Sequence, residues 1–198
     1  DEALGRRFLD DYLKDLDFQR LYFTQEDVDR FNESYGSRMH SLILQGKSME
    51  AATTIYDIFK ERVRARVAQT EKLLNGNDLD FASDDKVMMS RKDAAWPKNE
   101  KEAAELWRLQ IKEAVLGEVL RREMLAKMAK EQGKADPGSD DRSPKDKVSL
   151  RYKRFLASVE DVDNEEVANY FLSAVARAYD PHTDYMSARE MGRFKDSM

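Results

Sequence analysis

An all-α fold, an irregular multi-helix bundle with few or no strands, follows from three observations. Turn formers are scarce, with 8 Gly and 4 Pro in 198 residues. Charged residues make up 37% and hydrophobic ones 41%, a balance dominated by the good helix formers Glu, Lys, Arg, Ala and Leu. Apolar positions recur every three to four residues, the period of a helix with one buried face. The length suits one well-cored domain, or one domain plus an appendage.

Leu4, Phe8, Leu9, Tyr12, Leu13 and Leu16 predict a first amphipathic helix ending near Leu16. After the Asp17–Phe23 connection, Thr24 with Asp27 three residues on has capping-box spacing. Val28, Phe31, Tyr35, Met39 and Leu42 would form the buried stripe of a second helix closed by Gly46. Ser48 is placed to cap a third, long helix, with Ala52, Ile55, Phe59, Val63, Val67 and Leu74 on one face and Gly76 as its stop.

Residues 77–98 lack a helical period and end in the string Arg91-Lys92-Asp93-Ala94-Ala95-Trp96-Pro97-Lys98. Asn99 and Glu102 again have capping-box spacing, and Leu106, Trp107, Ile111, Ala114 and Leu120 carry a fourth helix towards Met128. From 129 to 147 no large apolar residue occurs, which predicts a flexible charged linker. Val148, Tyr152, Phe155, Leu156 and Val159 then resume the helical period. Asp163 and Glu166 cap a helix buried through Val167, Tyr170, Phe171, Ala174, Val175 and Ala178. Pro181 ends it near Tyr179, because the residue before a proline avoids helical geometry. A short terminal helix capped by Ser187 with Glu190 is expected after the turn. The chain thus divides into a helical bundle over 1–128, a charged flexible linker or loop over 129–147, and, over 148–198, C-terminal helices with the Asp180-Pro181-His182-Thr183 corner packing on the same bundle.

Composition excludes several functions. Lys plus Arg total 34 against 39 Asp plus Glu, a net charge of -5, which counts against a general nucleic-acid binder. No apolar run approaches the roughly 20 residues a transmembrane helix needs. Absence of Cys removes disulfides, thiolate metal sites and a Cys nucleophile. Asp1, with no initiator Met and no charged-then-apolar leader, reads as the start of a mature or trimmed product.

Enzymatic templates also fail. Gly46-Lys47-Ser48 resembles the tail of a phosphate-binding loop, but the required glycine is Ser41. A di-iron bundle needs Glu three residues before each His, and Ser37 precedes His40 while Tyr179 precedes His182. His40 beside Met39 reads as a partly exposed helix histidine. The methionines and aromatics at helical spacing read as core and not as a cofactor box. No catalytic, metal or cofactor residue is nominated.

Two strings remain as structural motifs. Trp96-Pro97 precedes a helix start, where the indole could staple the first turns near Leu106 or Trp107. Asp180 can bond the backbone beyond Pro181 to make a rigid corner, with His182, Thr183 and Asp184 offering further local bonds. Tyr185 and Met186 are then expected to re-enter the core.

Several of these strings resemble one family. Arg91 to Glu100 followed by Glu105-Leu106-Trp107 is similar to the N-terminal region of bacterial tail-specific (carboxy-terminal processing) proteases. The same holds for Leu16-Asp17, the Tyr22-Phe23-Thr24 to Phe31 stretch, Tyr56-Asp57-Ile58-Phe59, Arg151-Tyr152-Lys153-Arg154 and Glu160-Asp161-Val162. Asp180-Pro181-His182-Thr183-Asp184-Tyr185-Met186-Ser187 is the strongest match, departing only at Asp184 and Met186. The likeness runs in order along nearly the whole chain and is weakest around 136–146.

The resemblance implies a non-catalytic helical region at the front of a periplasmic endopeptidase, followed by PDZ and protease regions. It also implies a serine nucleophile with a lysine base, a pair that works because a desolvated lysine has a depressed pKa. No string here matches either motif, so both residues would lie outside this chain. Implied partners are those downstream regions, unfolded or C-terminally tagged substrates with apolar tails, and an adaptor protein. The competing expectation is a stand-alone helical adaptor or protein-binding module.

Overall fold

The computed structural model describes residues 1–134 and 142–180, with 182, 183, 185, 186 and 191. These residues form seven α-helices and no strand: α1 (Glu2–Leu16), α2 (Gln25–Phe31), α3 (Met39–Leu44), α4 (Ser48–Asn75), α5 (Glu100–Glu131), α6 (Pro144–Glu160) and α7 (Asn164–Tyr179). The long helix α4 is the spine. It lies against α3, α5, α6 and α7, while α1 packs between α3 and α7.

The helix starts follow local chemistry. At α2 the Thr24 hydroxyl accepts from the Asp27 N–H and the Asp27 carboxylate accepts from the Thr24 N–H, each at 3.2 Å. Asp163 and Glu166 exchange the same pair of bonds at the start of α7. At α5 the reciprocity is offset by one residue. Asn99 accepts from the Glu102 N–H, but the Glu102 carboxylate takes the Lys98 N–H at 2.7 Å. Ser48 is not a cap; it is the buried first residue of α4, and the preceding Lys47 makes no side-chain cap bond.

The expected single helix from Thr24 to Gly46 is broken. Helix α2 stops at Phe31, a π-helical turn spans Asn32–Gly36, and α3 resumes at Met39. Close packing accounts for the interruption. A Cβ on Gly5 of α1 would lie 3.0 Å from both the Gly36 carbonyl oxygen and the His40 nitrogen. The two backbones meet there because Gly5 has no side chain. The stripe still points inward at Val28, Phe31 and Met39. Gly46, at φ 68°, ends α3, and Lys47 N–H reaches back to the Leu42 carbonyl at 2.8 Å.

The charged stretch 129–147, expected as a linker, is helical at both ends. Helix α5 continues to Glu131 because Ala129 is buried, and Gly133 at φ 62° closes it with Lys134 N–H on the Ala129 carbonyl. Helix α6 begins with Ser143 and Asp146 in a reciprocal cap and Pro144 in the first turn, where its missing N–H costs nothing. Residues 135–141 lie outside the described part, as does the terminal helix expected from Ser187 and Glu190.

Two buried clusters result. The larger joins α1, α2, α4 and α7 through Phe8, Tyr12, Phe23, Phe31, Ile55, Phe59 and Phe171. The smaller joins α4, α5 and α6 through Leu73, Leu74, Trp107, Ile111, Val115 and Val148. Tyr22 and Tyr152 touch both clusters. The Tyr22 ring sits 5.6 Å from Phe59, 5.3 Å from Trp107 and 5.7 Å from Phe155, spacings typical of favourable aromatic pairs.

Candidate functional site

Tyr22 is held in place by the connection that carries it. Asp17, only 2% exposed, accepts the backbone N–H groups of Leu21, Tyr22 and Phe23, each at 2.9 Å. Burial pushes its carboxyl up to about 6, although the three donors pull the other way. The string Arg91–Pro97 fastens onto the same connection. Gln25 N–H donates to the Pro97 carbonyl at 2.8 Å, and Arg91 N–H to the Gln19 side chain at 2.7 Å. Arg20 bonds the Ala94 carbonyl and lies over the Trp96 ring at 5.4 Å.

Trp96 therefore staples a different pair of elements from the one expected. Its ring, 8% exposed, meets Phe23 at 6.1 Å and belongs to the larger cluster. Leu106 and Trp107 belong to the smaller one, where the Trp107 Nε1–H donates to Thr70 at 2.9 Å. Pro97 is buried beside Trp96. The indole locks the α4–α5 crossover against the α1–α2 turn because Phe23 already presents an aromatic surface there.

The Asp180 corner forms locally. Asp180 accepts the His182 N–H and the Thr183 hydroxyl, both at 3.0 Å, and the Thr183 N–H returns to the Asp180 carbonyl at 2.9 Å. These donors, the His182 N–H foremost, hold the Asp180 carboxyl below its usual range. Pro181 and Asp184 fall outside the described residues. His182 and Thr183 are exposed, and the former takes part through its backbone N–H.

Tyr185 and Met186 do not re-enter the core; they are 41% and 47% exposed. The Tyr185 carbonyl instead accepts from the Ser173 hydroxyl of α7 at 3.3 Å. The apolar face of α7, Phe171, Ala174, Val175 and Ala178, is already buried in the larger cluster, which also includes α1. The returning chain meets the polar edge of α7 that remains.

Beside that edge lies a groove of about 480 Å³ bounded by α1, α4, α6 and α7. Leu16, Phe59, Phe155, Val159 and Val162 give it an apolar lining, with Tyr170 and Ser173 on one wall. The Tyr56 hydroxyl donates to the Val159 carbonyl at 2.9 Å, and burial raises the Tyr56 phenol above its ordinary value. Arg177 pairs with Asp15 at the rim.

Buried charges elsewhere are matched. Arg62 donates two bonds to the fully buried Asp27, at 2.9 and 2.6 Å, and Arg66 two to Glu100, at 2.7 and 2.9 Å. Lys112 reaches Ser83 at 2.6 Å and Asp85 at 3.0 Å, holding the Asp85 carboxyl at about 2. Asp27 was legible as a cap, and Arg30 three residues on also reaches it at 3.5 Å, but Arg62, which donates the two shorter bonds, lies 35 residues away, beyond any local pattern. Among the described residues no three His, Cys, Asp or Glu side chains gather to hold a metal, and none of the helices is long and apolar enough to cross a membrane. His40 is half-buried, stacked 6.4 Å from Phe8.

A family model described as the tail-specific protease N-terminal domain matches residues 1–189. The chain belongs to this family. It is also 27% identical to a tail-specific protease of Haemophilus influenzae over 198 residues, the whole of this chain and 26% of that protein. The chain accordingly spans about a quarter of the length of the curated relative it matches. The Arg91 string of the resemblance carries the buried Trp96 and Pro97, and the described residues of the Asp180 string form the exposed, locally bonded turn.

Proposed function

We propose that this chain is the non-catalytic N-terminal helical domain of a periplasmic tail-specific endopeptidase. The protein would recognise apolar C-termini of its substrates and cut them with a Ser/Lys pair located beyond this chain. The observation that carries this is the family match across 1–189, in a chain aligned to only 26% of its relative. The geometry supports a framing role. The buried polar side chains Asp17, Asp27 and Arg66 hold loops and helices to one another, which suits a scaffold. PDZ and protease regions would follow this domain, with an adaptor as a further partner.

A peptide with an apolar C-terminus tests the assignment. The purified 198-residue chain should leave it intact, while the longer protein encoded by the same gene cleaves it. Cleavage activity that co-purifies with the short chain through every column would overturn the non-catalytic assignment. A gene that ends after Met198 would overturn the parentage.

A further inference from the structure

We infer that the groove between α1, α4, α6 and α7 is the seat of the polypeptide that follows this domain in the longer protein. The inference rests on the reading that such a protein exists, and two observations on the groove carry it further. The first is where the chain leads. Beyond α7 the Asp180 corner reverses direction, and the Tyr185 carbonyl is bonded to Ser173, back along α7. Tyr170 and Ser173 line both the groove and the notch that holds Tyr185. The corner thus brings the chain at Tyr185 beside the groove mouth.

The second is the chemistry of the surface left open. Tyr170 is 43% and Phe155 36% exposed, and they stand over a floor of Phe59, Val159 and Val162. Aromatic residues over an apolar floor match the composition of the chain's own buried clusters, and of permanent interfaces that resemble a core cut in half. About three-quarters of a protein the size of the Haemophilus influenzae relative lies outside this chain, ample to supply the cover. Arg177 and Asp15 at the rim, with Arg64 and Glu160 paired nearby on α4 and α6, give the polar border such an interface has.

The chain contains no cysteine, so one introduced thiol in this domain reports on one place. Ser158→Cys puts it in the groove at an exposed position whose hydroxyl bonds only its own helix. Met89→Cys, in the α4–α5 crossover where the side chain is 89% exposed, is the control. In the full-length protein, with wild-type background subtracted, maleimide should modify the Ser158→Cys variant about tenfold or more slowly than the Met89→Cys variant. In the 198-residue chain the two variants should react at similar rates.

Equal rates in the full-length protein would overturn the inference. Slow modification of the groove thiol in the 198-residue chain would place the cover within this chain and also overturn it. Protection that grows with protein concentration would do the same by assigning the cover to a second copy. Cleavage of the apolar-tailed peptide by the same full-length samples separates this from the wider proposal. An open groove in an active protease sinks the groove alone, and a protected groove in a protein without peptidase activity sinks the protease reading alone.

Discussion

The two corners that stand out in the sequence differ in what holds them. Trp96-Pro97 is buried and tied to distant residues: Phe23 and Arg20 against the ring, Gln25 on the Pro97 carbonyl. The Asp180 corner is exposed and closed by bonds to residues two and three positions away. A local hydrogen-bonded turn sets the direction of the chain without anchoring it. An indole in a core anchors a loop without fixing its local geometry. The first is therefore a long-range anchor in the core, and the second a locally closed turn at the surface.

The sharpest way to break this contrast is Trp96→Ala. Truncating a buried indole should cost about 3–5 kcal/mol in urea unfolding. A loss below about 1 kcal/mol would show that the crossover is anchored elsewhere. Asp17→Ala comes next, because it strips acceptors from three backbone N–H groups that fasten Tyr22 and Phe23. About 2–3 kcal/mol is expected by the same measurement, with the near-ultraviolet aromatic signal altered as Tyr22 loosens.

Gly5→Ala sharpens the picture of α1. The new methyl would press on two backbone atoms at 3.0 Å, so a loss of about 1–3 kcal/mol should appear in thermal or urea unfolding. An unchanged midpoint would mean that α1 and the π-helical turn can separate freely.

Asp180→Asn should give the smallest change in melting temperature of the set. Its sign with pH is fixed. The folded carboxyl titrates below its ordinary 3.8, so its contribution is present above that value and is lost as pH falls through the folded value. The gap between wild type and Asp180→Asn should close on acidification below about pH 3.8. Melting curves at a series of pH values check this, and a gap that widens in acid would contradict the bonded carboxylate.

Most helix ends were legible because they depend on neighbours in sequence. Thr24 with Asp27, Asp163 with Glu166, and Gly46 and Gly76 mark termini through bonds or backbone conformations spanning a few residues. The cap at Ser143 was equally local, but the charged surroundings masked it, since a linker and an exposed helix start share the same composition. The break at Asn32–Gly36 was not legible. It arises from the close approach of Gly5, on a different helix far back in the chain, to the Gly36 backbone.

The candidate sites follow the same division. Proline placement and local bonding chemistry predict corners at Trp96 and Asp180, yet not that Trp96 would meet Phe23 or that Tyr185 would remain outside. Asp17 was marked by the family resemblance but not as a backbone anchor, because a carboxylate that ends a helix looks the same whether solvated or bonded to three amides. By itself the sequence determined an all-α chain, the caps at Thr24, Asn99 and Asp163, and its family, since each depends on residue identity within a few positions. Tertiary structure alone decided which aromatic faces meet, which charges are buried in pairs, and that a groove forms beside α7. Those outcomes depend on which distant segments compete for the same apolar surface.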